Sequence, residues 1–385
     1  MGSSMPTSAP GTRDEFVTSS LPAGLTIGME EEFHVLDPET YELVPHAPLR
    51  LAGVAAANTL ASELLSSTVE TATAVCESLE EFRDEVVRQR RALCAAAERV
   101  GVVVATAGTV PASGSKPVPI SAGARYAWLA EEYRQLAAEQ AICASHVHVG
   151  VPDRELAVAL AMRVRAWLPV LLAMSASSPF YRYGDTGYAS YRTLIWSRWP
   201  TAGPPPTFDS AQAYDDTIAA LVASGTITDA GMIYYDVRPS ARYPTLEIRV
   251  ADGCPAVDDA VLIAALCRAL VIATEHDELS ALPSVDVQPA LLRAATWRAA
   301  RSGTAGHLID PVTGAPAPAS DVVDRLLAYV QPALEDRGEW PIVKELADGL
   351  LQRGTSTERQ RAAQRRRGSW TDVGRMLAAE TGDIG

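Results

Sequence analysis

Cysteine is scarce and unpatterned: Cys76, Cys94, Cys143, Cys254 and Cys267 are the 5 in 385 residues, and none forms a CxxC pair. An odd, scattered set argues against a disulfide framework or a thiolate zinc centre and fits reduced thiols in a cytoplasm. Positive charge is in deficit too. There are 33 Lys and Arg against 47 Asp and Glu, a net charge of −14, which speaks against nucleic acid or an anionic membrane as the main partner. No apolar run approaches the ~20 residues of a membrane span, and the N-terminus lacks the basic-then-apolar order of a secretion signal. Neither G-x-x-x-x-G-K-[ST] nor G-x-G-x-x-G occurs, so a P-loop, kinase or Rossmann reading has no local support.

What is present is ordinary for a globular protein. Apolar residues make up 48% and charged residues 21%, enough to bury a large core. Residues 1–22, rich in Ser, Thr, Pro and Gly, read as a disordered arm. Residues 23–385 read as one catalytic domain ending in a helical, basic region with the arginine cluster 359–367. Helices are expected over 47–65, 78–100, 124–139, 153–175 and 257–275, the second opened by the capping-box pattern Ser78-Leu79-Glu80-Glu81. A buried strand is expected over 101–109.

The chemistry lies on strands. In Ile27-Gly28-Met29-Glu30-Glu31-Glu32-Phe33-His34-Val35, a period of two puts Ile27, Met29, Phe33 and Val35 on one face and Glu30 and Glu32 on the other. Glu31 then packs or ion-pairs on the apolar side. Two carboxylates about 7 Å apart on one strand face repel unless a cation lies between them. Later strands bring Glu70, His146 with His148, and Glu247 with Arg249 to the same kind of face. Because these strands alternate apolar and polar, they predict a sheet with one face on helices and one open. Carboxylates with an occasional imidazole suit Mg²⁺ or Mn²⁺, and arginines beside them suit a transferring phosphoryl group. The segment 180–208 adds Tyr191, Arg192, Trp196, Arg198 and Trp199 in a loop of functional length. His-x-His also serves zinc hydrolases, so a metal-dependent hydrolase using His146 and His148 with Glu30 competes. A non-catalytic nucleotide-binding protein is the third reading.

The segments Gly28–Phe33, Val69–Thr73, Ser145–Asp153, Tyr191–Pro200, Asp236–Ser240 and Thr245–Asp252 together resemble the carboxylate-amine ligase family, also called glutamate–cysteine ligase type 2. The likeness runs in order along nearly the whole chain. It implies an α+β, glutamine-synthetase-like fold: a curved, mainly antiparallel sheet with an open active-site face and helices on the other. It also implies ATP-dependent amide formation through an acyl phosphate, on glutamate or a related amino acid. By that resemblance Glu30, Glu32, Glu70, His148 and Glu247 are the metal ligands, and Arg249 faces the transferred phosphate. Arg192 and Arg198 go to substrate carboxylate or phosphate. His146, Trp196, Tyr191 and Arg238 stand around the substrates, with His148 preferred over His146 for the metal. The implied partners are small-molecule carboxylate and amine, with a homo-oligomer as a family-level expectation. One departure concerns Cys143-Ala144-Ser145, where many relatives carry Gly or Thr before the first histidine; it puts cysteine as the amine in doubt.

Overall fold

The computed structural model describes residues 25–53, 60–279 and 287–383; the arm expected over 1–22 lies outside them. Its strands are β1 (Ile27–Leu36), β2 (Ala61–Ser62), β3 (Thr68–Ala72), β4 (Val103–Ala105), β5 (Ser145–Gly150), the small hairpin β6 (Phe180–Tyr181) and β7 (Gly184–Asp185), β8 (Val237–Pro239), β9 (Thr245–Ile248), and a separate antiparallel pair β10 (His307–Ile309) and β11 (Pro316–Pro318). The main sheet runs β2-β3-β1-β5-β9-β8, with β4 pairing the far end of β1, and every pair in it is antiparallel. The expected curved, mainly antiparallel architecture is thus the observed one.

Alternation decides which face is which. Ile27, Met29, Phe33, Val69, Val147, Val149, Leu246 and Ile248 are all buried, and they meet two helices. One is Leu79–Arg99, whose N-cap Ser78 accepts the Glu81 N–H at 3.1 Å while Glu81 accepts the Glu77 N–H at 2.8 Å. Leu79, Phe82, Val86 and Leu93 recur on its inner face at helical spacing and are buried. Each such side chain contributes roughly 1.5–3 kcal/mol by leaving water, and Phe82→Ala would cost roughly 3–5 kcal/mol. The other is Val257–Leu279, whose stretch Ala260–Cys267 is buried without interruption.

Glu31 faces this core, as the strand phase requires. It is 2% exposed and takes both Arg90 Nη2 (2.6 Å) and Nε (3.1 Å). Arg90 also donates to the carbonyls of Cys254 and Pro255, so one guanidinium ties β1, a helix and the approach to the second helix together.

Four element boundaries differ from expectation. The helix foreseen over 47–65 is only Ala47–Ala52, and Ala61–Ser62 is the edge strand β2; the β-pairing of β2 with β3 outweighs helical propensity there. The helix over 124–139 breaks at Arg134, which sits at φ 51° between Ala124–Tyr133 and Gln135–Ala138. The 153–175 helix is two, Arg154–Val164 and Leu168–Ser175, bent by 69° with Pro169 in the first turn of the second. The strand over 101–109 shrinks to β4. Among the described residues no single helix is long and apolar enough to cross a membrane.

Candidate active site

Register lays the polar residues side by side. Across the sheet Glu32 faces Glu70, Glu30 faces His146, and Glu247 lies between His148 and Arg238. Opposite residues of antiparallel strands stand about 4.5–5.5 Å apart, so the carboxylates and the two imidazoles are compressed onto one face. That face floors a cavity of about 440 Å³. Glu63, from the loop between β2 and β3, adds a further carboxylate, and Arg192, Arg238, Arg249 and Trp196 complete the wall.

The ionisation of this cluster follows from crowding. Burial, and then repulsion from Glu63, pushes Glu32 up to about 8. Burial, with Glu63, Glu30 and Glu32 adding to it, pushes Glu70 up to about 10. Glu63 moves the same way, chiefly through burial. Glu30 goes the other way: burial opposes it, but hydrogen bonds and charge from His146 and His148 hold it below the usual range. Glu247 is likewise buried, yet Arg249 and Arg238 keep it ionised. Burial, with Arg249 beside it, lowers His146 to about 4, leaving a neutral imidazole at neutral pH. Carboxylates that hold protons because they are buried, and because they crowd one another, are the groups that exchange protons for a hard cation.

Two groups of ligand atoms lie mutually within 4.8 Å: Glu30, His146 and Glu247, and Glu32, Glu70 and His146. Oxygen donors with one imidazole are the set for Mg²⁺ or Mn²⁺, so the residues fit the metal that the resemblance implies. His146 belongs to both groups, whereas the expectation favoured His148. The His148 Nδ1 is engaged with Thr245 Oγ1 at 2.8 Å; its Nε2 is 3.6 Å from Glu30 and otherwise unpartnered among the described residues. His148 is therefore available as a further donor without belonging to either tight group. Glu247 is shared with arginines: Arg238 Nε meets one oxygen at 2.9 Å and Arg249 meets the other.

Each arginine has a distinct setting. Arg249 stands between Glu247 and His146 (3.5 Å to Nδ1) and 6.0 Å from the centre of the Trp196 ring. Arg192 is held by the carbonyls of Arg249 and Val250, both at 3.3 Å, with Asp252 at 3.7 Å behind it. Asp252 is itself a buried hub that accepts from Ser177 N, Ser178 Oγ and Ser190 Oγ. Arg198 points elsewhere: it pairs with Glu139 at 2.5 Å and does not line the cavity. Tyr191 also lies off the lining, packed between Tyr181 and Tyr188. The segment expected as a loop holds the short helix Tyr191–Trp196, capped by Ser190, and so short a helix shows too little period in the sequence to sort these side chains.

Sequence reasoning missed Glu63, Gln140 and Asp236. Glu63 is the one acid of the segment 47–65, and a helical reading there sends it to no particular face. Asp236 is buried beside Arg192 and Arg249, and burial raises its carboxyl to about 7; a polar residue next to a strand bearing Arg238 was the available signal.

With the geometry in view, the likenesses are coherent. The family model of Glutamate-cysteine ligase family 2 (GCS2) matches residues 26–376. A Mycolicibacterium smegmatis protein named "Putative glutamate--cysteine ligase 2-2" is 46% identical over 93% of this chain and 90% of its own length. A Frankia casuarinae protein of the same name is 45% identical over 94% of this chain but 42% of its own length, so the chain spans less than half of that relative. Among solved structures, the glutamate–cysteine ligase of Francisella tularensis in complex with AMP superimposes at a TM-score of 0.70, 11% identity, over 94% of this chain and 90% of that one. A bifunctional glutathione synthetase from Pasteurella multocida gives 0.68 at 17% identity, over 93% and 52%. At such identities these two establish the fold, and with the family match over nearly the whole length they complete one conclusion: the chain belongs to glutamate-cysteine ligase family 2.

Proposed function

We propose that this protein is an ATP- and divalent-cation-dependent carboxylate–amine ligase of the glutamate–cysteine ligase type. The observation that carries the reading is the convergence of Glu30, Glu32, Glu63, Glu70 and His146 with Arg249 in one cavity. Activation of water by a hydrolase does not call for that many acids opposite arginines, whereas phosphoryl transfer to a carboxylate does: two anions must be brought together and the charge of the transfer stabilised.

In this reading the γ-phosphoryl group of ATP passes to a substrate carboxylate, with glutamate the first candidate, and ADP leaves. The amine then attacks the acyl carbon, inorganic phosphate departs with the bonding pair, and the ammonium proton is lost to give the amide. A divalent cation would supply positive charge to offset the repulsion between phosphate and carboxylate; Glu30 with Glu247 would hold one and Glu32 with Glu70 another, His146 completing one of the two sets, so the two strand carboxylates serve different metals. Arg249 stabilises the phosphoryl oxygens. Arg192, by gripping the Arg249 and Val250 carbonyls, fixes the backbone from which Arg249 projects. The Arg238–Glu247 pair keeps Glu247 anionic, and Trp196 beside Arg249 keeps water from its face.

The test is ADP release from Mg·ATP with glutamate and candidate amines. Arg249→Ala and Glu32→Gln are expected to lower turnover by about 10²–10³-fold, the usual loss when a charge-stabilising group goes. Undiminished turnover in both variants would remove the site assignment. ATP-independent activity with zinc in the purified protein would instead favour a hydrolase.

A further inference from the structure

Of the buried polar atoms of the cavity lining without a partner among the described residues, those of Thr68, His148, Arg192 and Arg249 aside, three belong to Gln140 (Nε2 and Oε1) and Trp199 (Nε1). Gln140 is 7% exposed and Trp199 3%, and the chemistry above uses neither. Folded proteins pair such groups almost without exception, because leaving them unpaired forfeits their hydration. Both are firmly mounted. The Trp199 ring lies 4.5 Å from Tyr133 and edge-on to Tyr234 at 5.6 Å. Gln140 sits in a turn in which its carbonyl accepts the Ile142 N–H at 2.9 Å. Around them the lining is apolar and aromatic, with Leu129, Ile142, Trp196 and Tyr234.

Position tells which substrate meets this wall. Trp196, which lies 6.1 Å from Trp199, carries Arg249 over its ring. Gln140 is four residues before Ala144, whose N–H is donated to Glu32 at 2.7 Å. The wall therefore borders the place of phosphoryl transfer. In ATP the ribose and two phosphates separate the base from the γ-phosphoryl group, so a wall at the transfer point suits the acceptor better than the base.

We infer that Gln140 and Trp199 read the acceptor amine, an assignment that rests on the ligase reading above. The Gln140 amide offers an acceptor beside two donors, and the indole offers one more donor. Its complement is an amine with an adjacent carboxamide or carboxylate: a carbonyl oxygen accepts from Nε2 and Nε1 while an N–H donates to Oε1. The aromatic lining calls for an apolar or aromatic body on that amine. An apolar α-amino amide or amino acid has all three features, and a simple alkylamine has only the last.

The experiment uses the full chain with Mg·ATP and L-glutamate, and with L-phenylalaninamide, L-phenylalanine, phenethylamine or L-cysteine as acceptor, the amide being counted by mass. The two carbonyl-bearing aromatic acceptors are expected to exceed phenethylamine in kcat/KM by about tenfold or more, the worth of one to two hydrogen bonds. Gln140→Leu, and the milder Trp199→Phe that keeps a ring, are each expected to raise the acceptor KM by about tenfold and flatten that preference. The KM values for ATP and glutamate should move less than about twofold. Unchanged acceptor KM and preference in both variants overturn the assignment. A rise in the KM for ATP alone also overturns it, by giving the wall to the nucleotide. Trapping with hydroxylamine separates the two levels: wild-type protein that forms no glutamyl hydroxamate sinks the ligase reading itself, while hydroxamate formation with no discrimination among the amines sinks only the acceptor assignment.

Discussion

Adjacent glutamates on β1 do opposite jobs, and one substitution at each tells them apart. Glu30 faces the cavity, between His146 (3.4 Å) and His148 (3.6 Å). Glu31 faces the core and neutralises the fully buried Arg90. Glu31→Gln leaves that guanidinium short of a charge partner, which costs roughly 3–5 kcal/mol. The expected result is a marked fall in Tm, with the specific activity of the folded fraction largely kept. Glu30→Gln should instead cost activity, by about 10²-fold or more, and lower Tm less than Glu31→Gln does, since the two imidazoles lose an ionised partner that is partly exposed. Equal damage to activity from both would mean that the strand phase is wrong. Asp236 gives a second residue-scale test. Burial raises its carboxyl to about 7 from an ordinary 3.8, so the native state keeps a proton that the unfolded chain has already lost. Its contribution to stability is full below the unfolded value and declines as pH rises towards 7. Asp236→Asn imitates the protonated acid; the loss of Tm between about pH 5 and pH 8 should be smaller in the variant than in the wild type. An identical slope would place the titration elsewhere.

At the scale of elements, what the sequence makes legible is what has a period. β1, β5 and β9 alternate, and alternation alone assigns Glu30, Glu32, His146, Glu247 and Arg249 to the correct face. The helix Leu79–Arg99 announces itself through its cap and its apolar spacing. Where period is missing, placement fails: Glu63 follows a two-residue edge strand set by pairing with β3, and Arg198 is drawn to Glu139 by an ion pair that no local pattern encodes. Which of His146 and His148 stands nearer the acids is set by what the next strands put beside each, and one strand's alternation does not encode it. The arginine cluster 359–367 is explained only by tertiary contacts. Arg359 meets both Asp259 (3.0 Å) and Glu380 (2.9 Å), Arg361 meets Asp185 (2.7 Å), and Arg367 meets Asp372 (2.6 Å). Asp259, 3% exposed, also takes Arg353. It thus fastens the helix Ser356–Arg367 and its predecessor to the core helix Val257–Leu279. Asp259→Ala takes a partner from two guanidinium groups at once, leaving Arg359 only Glu380, and should lower the urea midpoint by an amount equivalent to about 2 kcal/mol. A shift below about 1 kcal/mol would reduce the cluster to solvated ion pairs.

For the whole molecule, the acidic face sets a conflict between folding and the proposed function that a bound cation would resolve. Burial holds Glu32 at about 8 and Glu70 at about 10, so without metal the native state retains protons that the unfolded chain gives up above an ordinary 4.5. The sign follows: this contribution to stability is complete below that value and is lost as pH climbs through 8 towards 10. On the proposed reading a divalent cation would take the place of those protons, competing with fewer of them at higher pH. Millimolar MgCl₂ or MnCl₂ should therefore raise Tm, and by more at about pH 8.5 than at about pH 6. Chelator should return Tm to the metal-free value at both. Glu32→Gln supplies the control: its metal-free Tm at about pH 8.5 should exceed that of the wild type, because a buried charge is gone, and its gain with Mg²⁺ should shrink. A metal increment that is equal at the two pH values, or that survives intact in Glu32→Gln, would move the cation away from this face. On the proposed reading, stability and chemistry rest on the same carboxylates, and the ion that the proposed reaction calls for would also hold the cluster together.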